Sequence, residues 1–295
     1  MRITLEKGLL KSLLILGSVV EARDAYTGGH LWRVGQYSRL LATKAGLDPQ
    51  DVFVAAVGGF LHDLGKVGVS DAILNKTGKL TDDEYIAIKT HPLIGRDLIR
   101  AHPLADLALA AIASHHERPD QGGYPFGLTQ EQTPLVARIV GVADAFDAMT
   151  STRPYRKGMP VAKALSILRE EQGRQFDGTL VGHFITLEDL GLLQPIVGHS
   201  DFGRKLVVCP GCGPVIAVPA GLKDGDAIHC RVCQGKFTLH QDGDTFAPEF
   251  LGVKGSAEAV KPEAETAVIE QFLTHVPQTL HLPDDHQIQA GLLAG

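Results

Sequence analysis

His62-Asp63-Leu64-Gly65-Lys66 closes an almost wholly apolar segment, Val52-Phe53-Val54-Ala55-Ala56-Val57 through Phe60-Leu61. An apolar run of this kind, Asp51 to Leu64, predicts a helix buried on most sides, with Gly65 and Gly68 marking its end. Two side chains able to hold a metal therefore stand together where a buried helix stops. His62 and Lys66 are four residues apart and Asp63 and Lys66 three, so on a helical turn all three face one place.

Outward from this stretch the pattern stays helical. Leu9 to Ala45 carries apolar residues at helical spacing and reads as one or two helices, broken or kinked at Thr27-Gly28-Gly29. Downstream, Thr81-Asp82-Asp83-Glu84 is a capping box, in which the hydroxyl and the carboxylate each satisfy a free backbone N–H. His91-Pro92 starts a helix, with proline in the first turn where its missing N–H does no harm. Pro103 opens a helix ending near His115-His116, and Pro134–Met149 and Val161–Glu171 are two more. Gln121 to Gly127 is a turn-rich loop. The expected fold is all-α over residues 1–195, a helical bundle. A linker follows at 196–205, then a small β module at 206–240 and an acidic, partly disordered tail at 241–295 with one expected helix, Glu263–Phe272.

The 295 residues carry a net charge of −6. From Gln241 onward there are two basic and nine acidic residues, −7 in sum, which leaves about +1 on the first 240. The body has no general basic field, so a nucleic-acid polymer is not the expected partner, while a small anion held by local basic groups is compatible with it. The apolar run Gly8–Val20 is interrupted by Lys11 and is too short to span a bilayer. It runs into a charged helical pattern without a small-residue cleavage site. We expect no signal peptide, no membrane anchor and a cytoplasmic, reducing setting, in which four cysteines serve as thiols or metal ligands rather than disulfides.

Seven residues stand out as candidate ligands: His30, His62, Asp63, His91, His115, His116 and Asp144. Imidazole nitrogens and carboxylate oxygens suit manganese, iron or similar divalent ions, and Asp63 has two oxygens with which to bridge two ions. A lone histidine is usually a surface or satisfied core residue, and His102, His183, His199, His275, His281 and His286 are left in that class. Spacing alone does not name a reaction.

Residues 21–180 resemble the HD-GYP branch of the HD-domain phosphohydrolases. The matching stretches include Arg23 to His30 with Arg33-Val34, Leu61 to Lys66, Ile73-Leu74-Asn75-Lys76, and Lys89-Thr90-His91-Pro92. Further matches are His115-His116-Glu117-Arg118 with Gly123-Tyr124-Pro125, Arg138-Ile139 through Ala143-Asp144 to Met149, Arg153-Pro154-Tyr155-Arg156, and Gln175-Phe176-Asp177. The resemblance implies an HD-domain helical bundle and hydrolysis of cyclic di-GMP to linear pGpG, with GMP as a further product, through a metal-activated bridging hydroxide. It implies that His30, His62, Asp63 and Asp144 serve one ion, and Asp63, His91, His115 and His116 its neighbour. Lys66 would stabilise charge on the phosphate, and Asp24 would hold Lys66. Arg153 and Arg156 would bind ligand phosphates through their forked donors, and Tyr124 would touch ligand or form a docking surface for GGDEF-domain proteins. The family glutamate that supports a third metal is Tyr26 here, so two ions (iron or manganese) are expected. Pro119-Asp120-Gln121-Gly122 also departs from the family loop. The alternatives are a non-catalytic sensor or docking module, and a hydrolase of another cyclic dinucleotide. A homodimer is a further candidate assembly.

Cys209-Pro210-Gly211-Cys212 and Cys230-Arg231-Val232-Cys233 form two C-x₂-C pairs, the spacing of a structural zinc site. Gly213 and Gly235 follow the pairs and are expected to shape their turns. The module resembles a zinc ribbon, with rubredoxin-like iron or a redox dithiol pair as alternatives. Its small apolar area predicts that the metal supplies much of its stability.

Overall fold

Among the described residues, ten helices follow one another before position 190, and local chemistry sets most of their ends. The computed structural model describes residues 2–3, 7–23, 28–76, 78–152, 157–201, 204–213, 215–219, 221–243, 245–256, 260, 266–274 and 280–281. Helix α1 (Lys7–Arg23) buries Leu10, Leu13, Leu14 and Val20. After the Gly28-Gly29 break come α2 (His30–Lys44) and α3 (Pro49–Leu61). Asp48 caps α3 by accepting the N–H groups of Gln50 and Asp51, and Pro49 occupies its first turn. Short helices α4 (Asp71–Leu74) and α5 (Asp82–Ile88) lead to α6 (His91–Ile99) and α7 (Leu109–Ser114). The Thr81–Glu84 capping box forms as expected. Helices α8 (Leu135–Thr150), α9 (Val161–Glu170) and α10 (Gly178–Asp189) complete the bundle.

Helices α2, α3 and α8 pack on one another at the centre. Tyr37, Phe146 and Phe184 meet edge to face there, with ring centroids 4.9 to 6.0 Å apart. Trp32 and Phe60 are likewise fully buried. Each such side chain contributes about 2 kcal/mol of transfer free energy, which is what holds the helix ends of the candidate site together.

Several elements differ from the sequence expectation. Helix α3 stops at Leu61, and Leu64–Gly68 is a 3₁₀ turn. A Cβ at Gly65 would lie 1.8 Å from the His91 carbonyl oxygen, so the chain leaves the helix to press its backbone against the start of α6. The helix expected from Pro103 to near His115 is broken into a 3₁₀ turn, Ala105–Leu107, and α7. His102 accepts the Leu104 N–H on its ring and the Ala105 N–H on its carbonyl, which tightens the chain into a turn before α7 begins at Leu109. Helix α10 has no counterpart in the sequence expectation; Asp177 caps it through the N–H groups of Thr179 and Leu180.

Strand β1 (Arg2–Ile3) pairs with β8 (Leu280–His281). Beyond the bundle, β2 (His199–Asp201), β3 (Arg204–Val208) and β4 (Val215–Ala217) form one antiparallel sheet. A second consists of β5 (Ala227–His229), β6 (Gly235–Asp242) and β7 (Thr245–Lys254). Strand β2 lies inside the expected linker, and β7 carries the module past residue 240 to Lys254. Helix α11 (Thr266–Thr274), in the stretch expected to be tail, returns to the bundle. Val268, Ile269 and Phe272 are buried in the main core, the tilted Phe272 ring has its centroid 4.9 Å from that of Phe60, and Glu270 pairs with Lys11 at 2.7 Å.

Candidate metal centre

All seven candidate ligands gather at one place, and all but Asp144 sit at or beside a helix end. His30 is the first residue of α2 and His91 of α6; His62 follows α3 and His115 follows α7. Asp144 projects from the middle of α8. Asp63 lies between the two halves. Its Oδ2 is 3.4 Å from His30 Nε2 and 3.2 Å from His62 Nε2, while its Oδ1 is 3.5 Å from His91 Nε2. Asp144 Oδ1 lies 3.6 and 3.7 Å from the same nitrogens of His30 and His62. His91 and His115 bring their Nε2 atoms to 3.3 Å, and His116 completes that half. Neighbouring ligands ~2.1 Å from one ion would be ~3 Å apart, so the two halves are each only slightly wider than a coordination shell.

The far nitrogen of four imidazoles is tied down, which aims Nε2 inward. His62 Nδ1 is 2.7 Å from the Gly59 carbonyl, His91 Nδ1 2.7 Å from that of Ile88, and His115 Nδ1 3.0 Å from that of Ala111. His30 Nδ1 instead meets Asp147 Oδ2 at 2.8 Å. Asp147 is gripped by Arg33, Nε to Oδ1 at 2.6 Å and Nη2 to Oδ2 at 3.0 Å. Both residues stand in the quoted sequence stretches, where nothing local marks them as supports of His30.

The residues fit metal ions. His62 Nε2 is buried and makes no well-aligned hydrogen bond, though Asp63 Oδ2 lies 3.2 Å away, and a cation between them would satisfy both atoms. Burial opposes a charge on His62, yet Asp63 and Asp144 overcome it and hold its pKa up to about 10. That end of the cluster therefore calls for positive charge. At the other end, burial outweighs the pull of Asp144 and pushes His116 down to about 3, and burial with neighbouring imidazoles lowers His115 as well. Those rings are neutral near pH 7, the form that ligates metal.

A family model described as HD domain matches residues 16–180. The chain belongs to the HD domain family. Over 169 residues it is 40% identical to the cyclic di-GMP phosphodiesterase response regulator RpfG of Xanthomonas campestris, covering 57% of this chain and 45% of that one. Identity to a cyclic di-GMP phosphodiesterase of Pseudomonas aeruginosa is 41% over 201 residues, 68% of this chain and 48% of the relative. A 3'3'-cGAMP-specific phosphodiesterase of Vibrio cholerae is 40% identical over 155 residues, 52% of this chain and 34% of the relative. The chain thus spans less than half the length of these relatives.

A cleft of about 310 Å³ opens the HD domain's cluster of candidate ligands to solvent on the side of His116 and Asp144. Tyr124 stacks on His116, ring centroids 4.6 Å apart, and its N–H donates to the His116 carbonyl. The loop behind it is fixed by buried Glu117, which accepts the N–H groups of Phe126 and Leu128 at 2.7 and 2.9 Å. Lys89 places its ammonium 4.9 Å from the Tyr124 ring centroid. The other basic groups of the cleft, Arg118 and Arg138, are paired with Asp120 and Asp177. Glu117 and Lys89 had no assigned role in the sequence; a charged residue beside His116 or two before His91 was the available signal. Lys66 Nζ contacts Asp63 Oδ2 at 2.6 Å. Asp24, Tyr26, Arg153 and Arg156 lie outside the described residues, so their expected roles rest on the sequence.

In the C-terminal module the cysteines sit on two tight turns, after β3 and after β5, each closed by a main-chain bond to the carbonyl of its first cysteine, from Gly213 to Cys209 and from Gln234 to Cys230. Sγ separations of 3.7 Å (Cys209–Cys233), 3.6 Å (Cys209–Cys212) and 3.5 Å (Cys212–Cys230) exclude disulfides and approach the ~3.8 Å edge of a tetrahedral Zn–thiolate site. Gly235 donates its N–H to Cys233 Sγ at 3.4 Å. The left-handed backbone after the second pair falls on Gln234 rather than on Gly235 (φ 63°), while Gly213 serves the first pair as expected (φ 93°). Among the described residues no helix is long and apolar enough to cross a membrane.

Proposed function

We propose that this HD domain is a metal-dependent phosphodiesterase that hydrolyses cyclic di-GMP. The observation that carries this reading is the split carboxylate of Asp63, which turns one oxygen to His30 and His62 and the other to His91. His30, His62, Asp63 and Asp144 would hold one divalent ion, and Asp63, His91, His115 and His116 a second. Iron or manganese suits these donors. Bound there, the ions supply Lewis acidity at the phosphodiester.

The chain's own residues do the rest. The tied far nitrogens keep the imidazoles in one tautomer and direction. Lys66 hydrogen-bonds Asp63 and stands ready to neutralise charge developing on the phosphate. Lys89 offers a positive charge to the anionic ligand at the cleft wall, with Tyr124 beside it, and Arg153 and Arg156 are assigned to ligand phosphates from the sequence. Linear pGpG is the expected product, with GMP after a second cleavage. The four-cysteine module is read as a structural zinc ribbon. Docking of a GGDEF protein on the Tyr124 loop, homodimerisation and a cytoplasmic setting are further parts of the reading.

Incubating manganese- or iron-loaded protein with cyclic di-GMP and resolving the nucleotides by chromatography tests it. Linear pGpG is expected, and no product with any divalent metal would refute the reading. The likeness to a cGAMP-specific enzyme makes 3'3'-cGAMP the comparison substrate. Faster turnover of that nucleotide would keep the chemistry and reassign the substrate.

A further inference from the structure

Arg33 is 2% exposed, and all five of its N–H donors are used. Nε and Nη2 grip Asp147, and Nη2 also donates to Ser151 Oγ at 3.1 Å. Nη1 donates to two main-chain carbonyls, Gly28 and His199, both at 2.8 Å. One guanidinium thus joins the partner of a metal ligand, the end of α8, the turn before α2 and strand β2 of the C-terminal module.

The same turn is pressed against that module. A Cβ at Gly29, whose φ is 75°, would lie 2.2 Å from Ser200 Cα, so only glycine lets β2 come this close to His30. A Cβ at Gly28 would lie 3.5 and 3.8 Å from Val215 and Leu206, on β4 and β3. Those two strands flank the Cys209–Cys212 turn. The connection from cysteine turn to metal ligand is therefore continuous: β3 to β2, the His199 carbonyl to Arg33, Arg33 to Asp147, Asp147 to His30 Nδ1.

We propose that Arg33 is a positioning residue through which the folded four-cysteine module sets the orientation of His30, so that metal affinity in the HD domain depends on the module holding its own ion. This rests on the metal-centre part of the functional reading and not on the substrate. If the module loosens, Nη1 loses the His199 carbonyl, and a buried arginine with an unpaired donor turns toward another acceptor. The fork that holds Asp147 turns with it.

The test is titration of the 295-residue protein with manganese, followed by calorimetry, for the unaltered chain, Arg33→Lys, the pair Cys212→Ser with Cys230→Ser, and all three changes together. Arg33→Lys keeps the charge and loses the fork. It should weaken manganese binding about tenfold or more while the helical circular dichroism is kept. The cysteine variant, shown by elemental analysis to lack zinc, should weaken it by a comparable factor. The combined variant should be no weaker than the weaker of the two, because both changes cut one connection. Unchanged manganese affinity in the zinc-free cysteine variant overturns the proposal, as do losses that multiply in the combination. Should Arg33→Lys fail to fold, the cysteine variant alone decides. An unaltered protein that binds no manganese defeats the metal centre and this proposal together. One that binds manganese without cleaving cyclic di-GMP defeats only the substrate assignment.

Discussion

Four imidazoles of the cluster are aimed by what their far nitrogen touches, and only for His30 is that partner a side chain, Asp147. Asp147→Asn keeps the shape but removes the charge that both His30 and Arg33 face. Manganese affinity should fall about 10- to 100-fold, and leaving Arg33 buried against a neutral amide should cost about 3 kcal/mol of stability. Titration calorimetry and urea denaturation measure the two effects, and an Asn variant equal to the unaltered protein in both would show that Asp147 does not orient the ligand. The clustered candidate ligands were legible because each is a metal-capable side chain within a stretch resembling one family. The supports were not. Asp147 and Arg33 stand 114 positions apart, Glu117 works through main-chain N–H groups, and Lys89 through a ring 35 positions away. Local sequence does not reveal such pairings.

At the scale of elements, the site is made where helix ends converge, and one close approach governs it. The 3₁₀ turn after Asp63 reaches α6 only because Gly65 has no side chain. Gly65→Ala must push α6, and with it His91, away from Asp63. A cost of about 3 kcal/mol is expected by analogy with overpacked cores, together with weakened metal binding; denaturant titration with unchanged stability would contradict the packing. Elements with their own chemical signals were readable, among them the Thr81 capping box and the break at Gly28-Gly29. Those imposed by tertiary contact were not. The turn at Leu64–Gly68 answers to α6, β2 answers to Arg33, and β7 gains its place by pairing with β6.

At the scale of the whole molecule, the chain passes from the helical bundle through the cysteine module and comes back. Phe272 of α11 lies against Phe60, next to the helix that delivers His62 and Asp63. Phe272→Ala should therefore lower global stability by about 3–5 kcal/mol, seen as a shifted unfolding midpoint, where a solvated tail would give no shift. The helix itself was legible at Glu263–Phe272 and forms at Thr266–Thr274; its return to the bundle core was not, because an acidic stretch gives no local sign of the distant face it packs on. The account as a whole stands on the cluster around Asp63 being a two-ion centre bridged by that residue. Elemental analysis of the 295-residue protein loaded with manganese and zinc, beside Asp63→Ala, tests this most directly. The unaltered chain should hold about two ions in the HD site and one in the four-cysteine site, and Asp63→Ala should lose ions from the HD site while keeping the zinc. Equal metal counts in the two proteins, or zinc alone in the unaltered one, would contradict it.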